Sequence, residues 1–140
     1  MRTLILLCLL SASLSSNAQN RAETALEGGA AQTLLKSLEA AGSIIECEKE
    51  SFHVCGTVVQ DLLCTKDAAK KMRCQFEAQG NDIAKQVSVS EAKAKPLYEA
   101  LSSKIKESCM SGTCTVSASI IQCFNYLQGP DKGFQCAILH

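Results

Sequence analysis

Nine cysteines in 140 residues constrain this chain more than any other feature. Cys8 lies in an apolar stretch near the start. The other eight are Cys47, Cys55, Cys64, Cys74, Cys109, Cys114, Cys123 and Cys136. They read C-x7-C-x8-C-x9-C and, after a gap of 34 residues, C-x4-C-x8-C-x12-C. An even set in an oxidising compartment reads as four disulfides, with the connectivity left open by sequence. Cys55 and Cys64 recur 59 positions later as Cys114 and Cys123, and Cys47 and Cys74 recur 62 positions later as Cys109 and Cys136. That regularity raises duplication of one stapled helical hairpin, but the other side chains do not repeat convincingly, and an unduplicated chain is the favoured reading.

The compartment follows from the first residues. MRTLILLCLLSASLSSNAQ carries Arg2, the apolar run Leu4 to Leu10, and small residues ending in Ser16-Asn17-Ala18. This is the layout of a secretory signal peptide over residues 1–18. Its apolar run is shorter than the ~20 residues that span a bilayer, so no membrane anchor is expected. Removing it takes Cys8 and Arg2 and moves the charge from zero to −1. A near-neutral chain argues against nucleic acid as a partner.

Helical spacing dominates the rest. Leu34, Leu35 and Leu38 share a face, and Gly42 is a plausible stop. From Ser51 onward, Phe52, Cys55, Val58 or Val59 and Leu62 recur at steps of three and four. The β-branched Thr57, Val58 and Val59 count against a helix there. Thr65 can cap another helix, with Ala68, Ala69, Met72 and Phe76 facing inward and Gly80-Asn81 ending it. Lys85 to Ser90 alternates and reads as a short extended link. Pro96 suits the first turn of a helix starting near Lys95, with Leu97, Leu101 and Ile105 on its buried face. Val116, Ile120, Cys123, Phe124 and Leu127 line a last helix, stopped by Gly129-Pro130. Cys136 pins the tail. No Asn-Gly hairpin signal appears. The expectation is an all-α fold: residues 19–32 as a weakly ordered N-terminal arm, then 33–140 as a small disulfide-stapled helical domain of four or five short helices.

Within a continuous helix, residues nine apart point to opposite faces and lie ~13.5 Å apart along the axis. A disulfide needs Cα atoms within ~7 Å. Helices over these segments therefore forbid Cys55–Cys64 and Cys114–Cys123 and call for cross-helix staples.

No constellation points to chemistry. Only Cys109-x4-Cys114 approaches a zinc spacing, and no second pair accompanies it. No Cys-x-x-Cys redox motif occurs. The two histidines are His53 and His140, the latter on the last residue. No Gly-x-Ser-x-Gly occurs. The reading is a non-enzyme without metal or cofactor.

What remains is recognition. The expected function is a secreted effector or signalling protein, toxin-like or pheromone-like, that binds another extracellular protein. Lys66, Lys70, Lys71 and Arg73 form the candidate partner patch, set against a plain solvated helix face with Asp67 and Glu77 nearby. The alternative is an extracellular carrier of a small apolar ligand. Leu97, Leu101, Val116, Ile120, Ile121 and Phe124 would line its pocket.

Overall fold

The computed structural model describes residues 22–50 and 53–140. The expected leader over 1–18 lies outside them. In chain order the elements are β1 (Glu23–Glu27), α1 (Gly28–Ala41), β2 (Glu46–Glu48), β3 (Val54–Lys66) and β4 (Met72–Gln79). Then follow β5 (Ala84–Ser90), α2 (Ala94–Ser102), β6 (Ser108–Met110), β7 (Thr113–Tyr126) and β8 (Gly133–Leu139). The strands make one antiparallel sheet in the order β1-β8-β7-β3-β4-β5, while β2 pairs with β3 and β6 with β7. The helices pack against each other and against one face of the sheet. Among the described residues the other face carries no helix.

The all-α expectation is overturned by this sheet. β4 shows why. Cys74, Phe76 and Ala78 are buried, while the alternating Arg73 and Gln75 are exposed and Glu77 is half-buried. That is period two, the mark of a half-buried strand. Met72 and Phe76, read as one helical face, share a face in either geometry because four residues close a repeat of both periods.

β3 and β7 deceive differently. Besides Gly56, the buried positions of β3 are Thr57, Val59, Leu62 and Cys64, and those of β7 are Val116, Ala118, Ile121 and Cys123. Each set steps by two, three and two. In β3 the step of three is a bulge: Gln60 pairs with Glu77 but Leu63 pairs with Gln75. Asp61 there adopts φ 51°. One extra residue reverses the side-chain alternation beyond it, and the resulting steps imitate a helical stripe.

Elsewhere the expected elements form. α1 covers Leu34, Leu35 and Leu38 and ends at Gly42. α2 carries Pro96 in its first turn and buries Leu97 and Leu101. The Lys85–Ser90 link is strand β5, and Cys136 holds β8 to β7. Residues 23–32, expected as a weakly ordered arm, form β1 and the start of α1.

All four disulfides join directly opposed residues of neighbouring strands, not separate helices. Cys47–Cys55 ties β2 to β3, Cys64–Cys74 ties β3 to β4, Cys109–Cys114 ties β6 to β7, and Cys123–Cys136 ties β7 to β8. The Cα separations are 4.0–4.1 Å. This is close to the narrow, non-hydrogen-bonded spacing of an antiparallel ladder.

The repeat hinted at by the cysteines runs through the core in β form. A shift of 59 maps Thr57, Val59, Leu62 and Cys64 onto Val116, Ala118, Ile121 and Cys123. A shift of 62 maps Cys74 and Phe76 onto Cys136 and Ile138. A shift of 63 maps Ala31, Leu34, Leu35 and Leu38 onto Ala94, Leu97, Tyr98 and Leu101. All of these are buried. The same shift of 59 carries the β3–β7 pair Val59–Ile121 onto Ala118–Leu62, another pair of that ladder. Each half is thus a strand, a helix, a short strand and a hairpin, and the halves meet across an approximate twofold axis.

The halves interlock. β1 pairs with β8 of the second half, and β5 pairs with β4 of the first. α1 lies on β8 and α2 on β4. The contacts repeat down to atoms: Cys136 Sγ sits 3.4 Å from the Ala31 carbonyl oxygen, and Cys74 Sγ 3.7 Å from that of Ala94. Each helix packs mainly on the other half's hairpin, and α2 also touches β7 of its own.

Candidate functional site

One end of the sheet is built from the turn after β3, the link from β5 into α2, and the β6–β7 turn. The first turn is held by Asp67, whose backbone N–H donates to the Lys71 carbonyl and whose carboxylate accepts the Lys71 N–H at 2.9 Å. The helix expected to start at the Thr65 cap is this turn instead. The Glu91 N–H donates to the Met72 carbonyl at 3.0 Å, which sets the start of α2 beside β4. In the last turn Ser111 and Gly112 have φ 53° and 81°. Two successive positive φ values make a tight hairpin turn of the primed class, which favours glycine. Gly112 also approaches Ala68 of the first turn.

Between these segments lies a groove of about 490 Å³ lined by Lys66, Lys70, Met72, Glu91, Ala92, Lys95 and Glu99. Three ammonium groups face two carboxylates, and Lys95 lies 3.9 Å from Glu99 one helical turn on. That exposed pair is worth a few tenths of a kcal/mol at most. Lys66 Nζ stands 5.1 Å from the centre of the Tyr98 ring. Such a cation–π contact is worth about 0.5–1 kcal/mol near a surface. Tyr98 is buried and its hydroxyl donates to the Glu107 carboxylate. Its phenol is pushed up to about 12, first by burial and then by the hydrogen bond to Glu107 and the charge behind it. The phenol stays neutral at physiological pH, a donor and a platform for Lys66.

The opposite end carries aromatic chemistry on the helix-free face. Phe124 and Tyr126 lie with ring centres 6.3 Å apart. The Phe124 ring covers Gly56: a Cβ there would lie 2.2 Å from Phe124 Cδ1 and 2.5 Å from the Cys123 carbonyl oxygen. Only glycine fits beneath it. Phe124 divides two shallow hollows of about 270 and 310 Å³.

The expected site residues divide accordingly. Of the basic patch, Lys66 and Lys70 line the groove, Lys71 is exposed in the turn, and Arg73 points to the helix-free face beside Gln75 and Ser88. Of the expected pocket, Leu97, Leu101, Val116 and Ile121 are 0–1% exposed and fill the space between helices and sheet. Ile120 and Phe124 are half-buried on the opposite face. The six do not converge. Glu91, Lys95 and Glu99 are distant from Lys66 in sequence, and the packing of α2 on β4 brings them beside it.

Glu107, Cys109 and Cys114 bring their ligand-type atoms within 4.8 Å of one another. Both sulfurs are closed in a disulfide. A metal needs thiolates, so this cluster is no metal centre. The histidines lie at opposite ends. His140 Nε2 meets Thr24 Oγ1 at 2.8 Å, and the His53 carbonyl accepts the Leu127 N–H at 2.9 Å. Among the described residues no helix is long and apolar enough to cross a membrane. No protein-family model, curated protein or solved structure matches this chain.

Proposed function

We propose that this chain is a secreted binding protein that recognises another extracellular protein through the lysine groove. The observation behind the reading is the contrast between core and groove. Most buried strand and helix positions recur between the halves, although Ala41 and Ala78 answer to the exposed Lys104 and His140. The groove positions Lys66, Met72, Glu91, Lys95 and Glu99 correspond to Asn125, Phe134, Gly28, Gln32 and Lys36. The fold therefore does not require the groove's composition, since the same architecture closes without it 60-odd residues away. Lysines on rigid elements beside Met72 offer charge steering at the rim and an apolar floor. Four disulfides suit an oxidising compartment, which supports secretion. The complementary partner surface is acidic. A preorganised, stapled groove lowers the entropic cost of docking. Carriage of a small apolar ligand draws no support from a core whose side chains already fill it.

The test is a binding screen of the oxidised protein against displayed extracellular domains. Saturable, salt-sensitive binding that falls at least tenfold in a K70E/K71E variant is the expected result. Both lysines are exposed, so the variant should fold normally. Saturable one-to-one uptake of a fluorescent apolar probe, with no protein bound, would overturn the reading in favour of a carrier.

A further inference from the structure

The sheet has two edges, and they are guarded unequally. β1 is five residues long, with Glu23 and Glu27 exposed on it. Charges on an edge strand discourage pairing with other chains. The shift of 63 that relates the two helices maps Glu23 and Glu27 onto Gln86 and Ser90 of β5. The guards are absent there. β5 is seven residues long and pairs with β4 from Arg73–Ser90 to Gln79–Ala84 without a bulge. It contains no proline and one charged residue, Lys85. The Gln86 amide donates to Glu77 Oε2 at 3.0 Å, so it reaches back across the sheet. Ile83, just before the strand, is 61% exposed. The result is a regular, nearly neutral strand with no further strand paired to its outer edge among the described residues, the condition under which strands recruit strands.

We infer that β5 pairs antiparallel with β5 of a second copy, making one continuous sheet across a twofold axis. The occupant follows from the strand's own sequence. Pairing centred on Val87 sets Ala84 opposite Ser90, Lys85 opposite Val89 and Gln86 opposite Ser88 of the second copy. No like charges oppose, and Lys85 falls diagonal to Glu91, within reach of a long side chain. The chain already uses this geometry internally, where equivalent strands β3 and β7 pair about a twofold. Such an axis leaves the helices of both copies on the same side, so half-buried Val87 and Val89 gain cover. The inference is independent of what the lysine groove binds.

The experiment is sedimentation equilibrium of the oxidised protein at micromolar concentration, paired with amide hydrogen exchange. A doubled mass is expected, with alternate β5 amides, those turned away from β4, protected in the dimer and released on dilution. An S88E/S90E variant should be monomeric and melt where the diluted, monomeric wild type melts. Residue 90 faces Arg73 in the β4–β5 ladder, so the new carboxylate suits the fold, while the residue-88 carboxylates of two copies would meet diagonally across the axis. A wild-type monomer overturns the inference, as does a dimer whose β5 amides exchange freely or that survives S88E/S90E.

Discussion

At one end of the β3–β7 ladder Phe124 lies over Gly56. At the other, the equivalent positions are Thr65 and Thr115, which also face each other. On the helix side, Leu35 in the first half answers to Tyr98 in the second, where the ring meets Lys66 and Glu107. The halves keep equivalent disulfides and most of the same buried positions, and differ chiefly at the rims. A packed interior tolerates few volumes at each position, whereas a rim residue answers mainly to solvent. Repetition therefore marks what the fold needs, and departure from it marks where this molecule has acquired its own chemistry.

The largest test of that division is at the sulfurs. Cys64–Cys74 and Cys123–Cys136 are equivalent and buried. Removing either pair as C64A/C74A or C123A/C136A should cost a similar amount, about 3–5 kcal/mol. Cys109–Cys114 closes a shorter loop at an exposed hairpin, and C109A/C114A should cost about 2 kcal/mol. Denaturant unfolding of the three variants would break the equivalence if the two buried pairs differed widely.

Next comes the aromatic end. G56A forces a methyl group into the Phe124 ring and the Cys123 carbonyl, for an expected loss of about 1–3 kcal/mol. T115A, at the equivalent site, should stay within about 0.5 kcal/mol. Adding F124A to G56A should restore part of the loss, since the two share one contact. Equal effects at positions 56 and 115 would erase the asymmetry.

The smallest effect belongs to Tyr98. Y98F removes the hydrogen bond to Glu107 and should cost about 1 kcal/mol. The pH dependence has a defined sign. The folded phenol ionises near 12 against 10.0 for the free group. The unfolded chain therefore loses its proton first as pH rises. Tyr98 contributes no slope well below pH 10, and stability falls between 10 and 12. Absorbance titration in a Y126F background would show this, and ionisation of Tyr98 near 10 would contradict its burial.

How much of this was legible in the residues follows from local geometry. α1 and α2 were legible because Leu34, Leu35 and Leu38, and Pro96, Leu97 and Leu101, obey one period without interruption. β5 was legible as alternation. β3 and β7 were not, because a step of three at Val59–Leu62 and at Ala118–Ile121 breaks the alternation. The β-branched Thr57, Val58 and Val59, together with Thr115, Val116, Ile120 and Ile121, carried the contrary signal. Ser111-Gly112 between Cys109 and Cys114 was a hairpin turn in plain view. Helices there exclude Cys55–Cys64 and Cys114–Cys123, neither of which forms, but they also point to cross-helix staples where the bonds run between adjacent strands. The groove was half legible: Lys66 and Lys70 cluster in sequence, while Glu91, Lys95 and Glu99 join them only through the packing of α2 on β4.

The exchange of arms between the halves has a consequence for severed chains. The joint between them is the tight turn Gly80–Ile83, closed by the Gly80 N–H on the Ile83 carbonyl at 2.7 Å. A polypeptide ending there would present a bare hairpin and a detached strand–helix arm, each shaped to complete a sister molecule. Two such fragments would reconstitute this architecture by complementation. The turn adds proximity, replacing a bimolecular encounter with an effective concentration in the millimolar range or above.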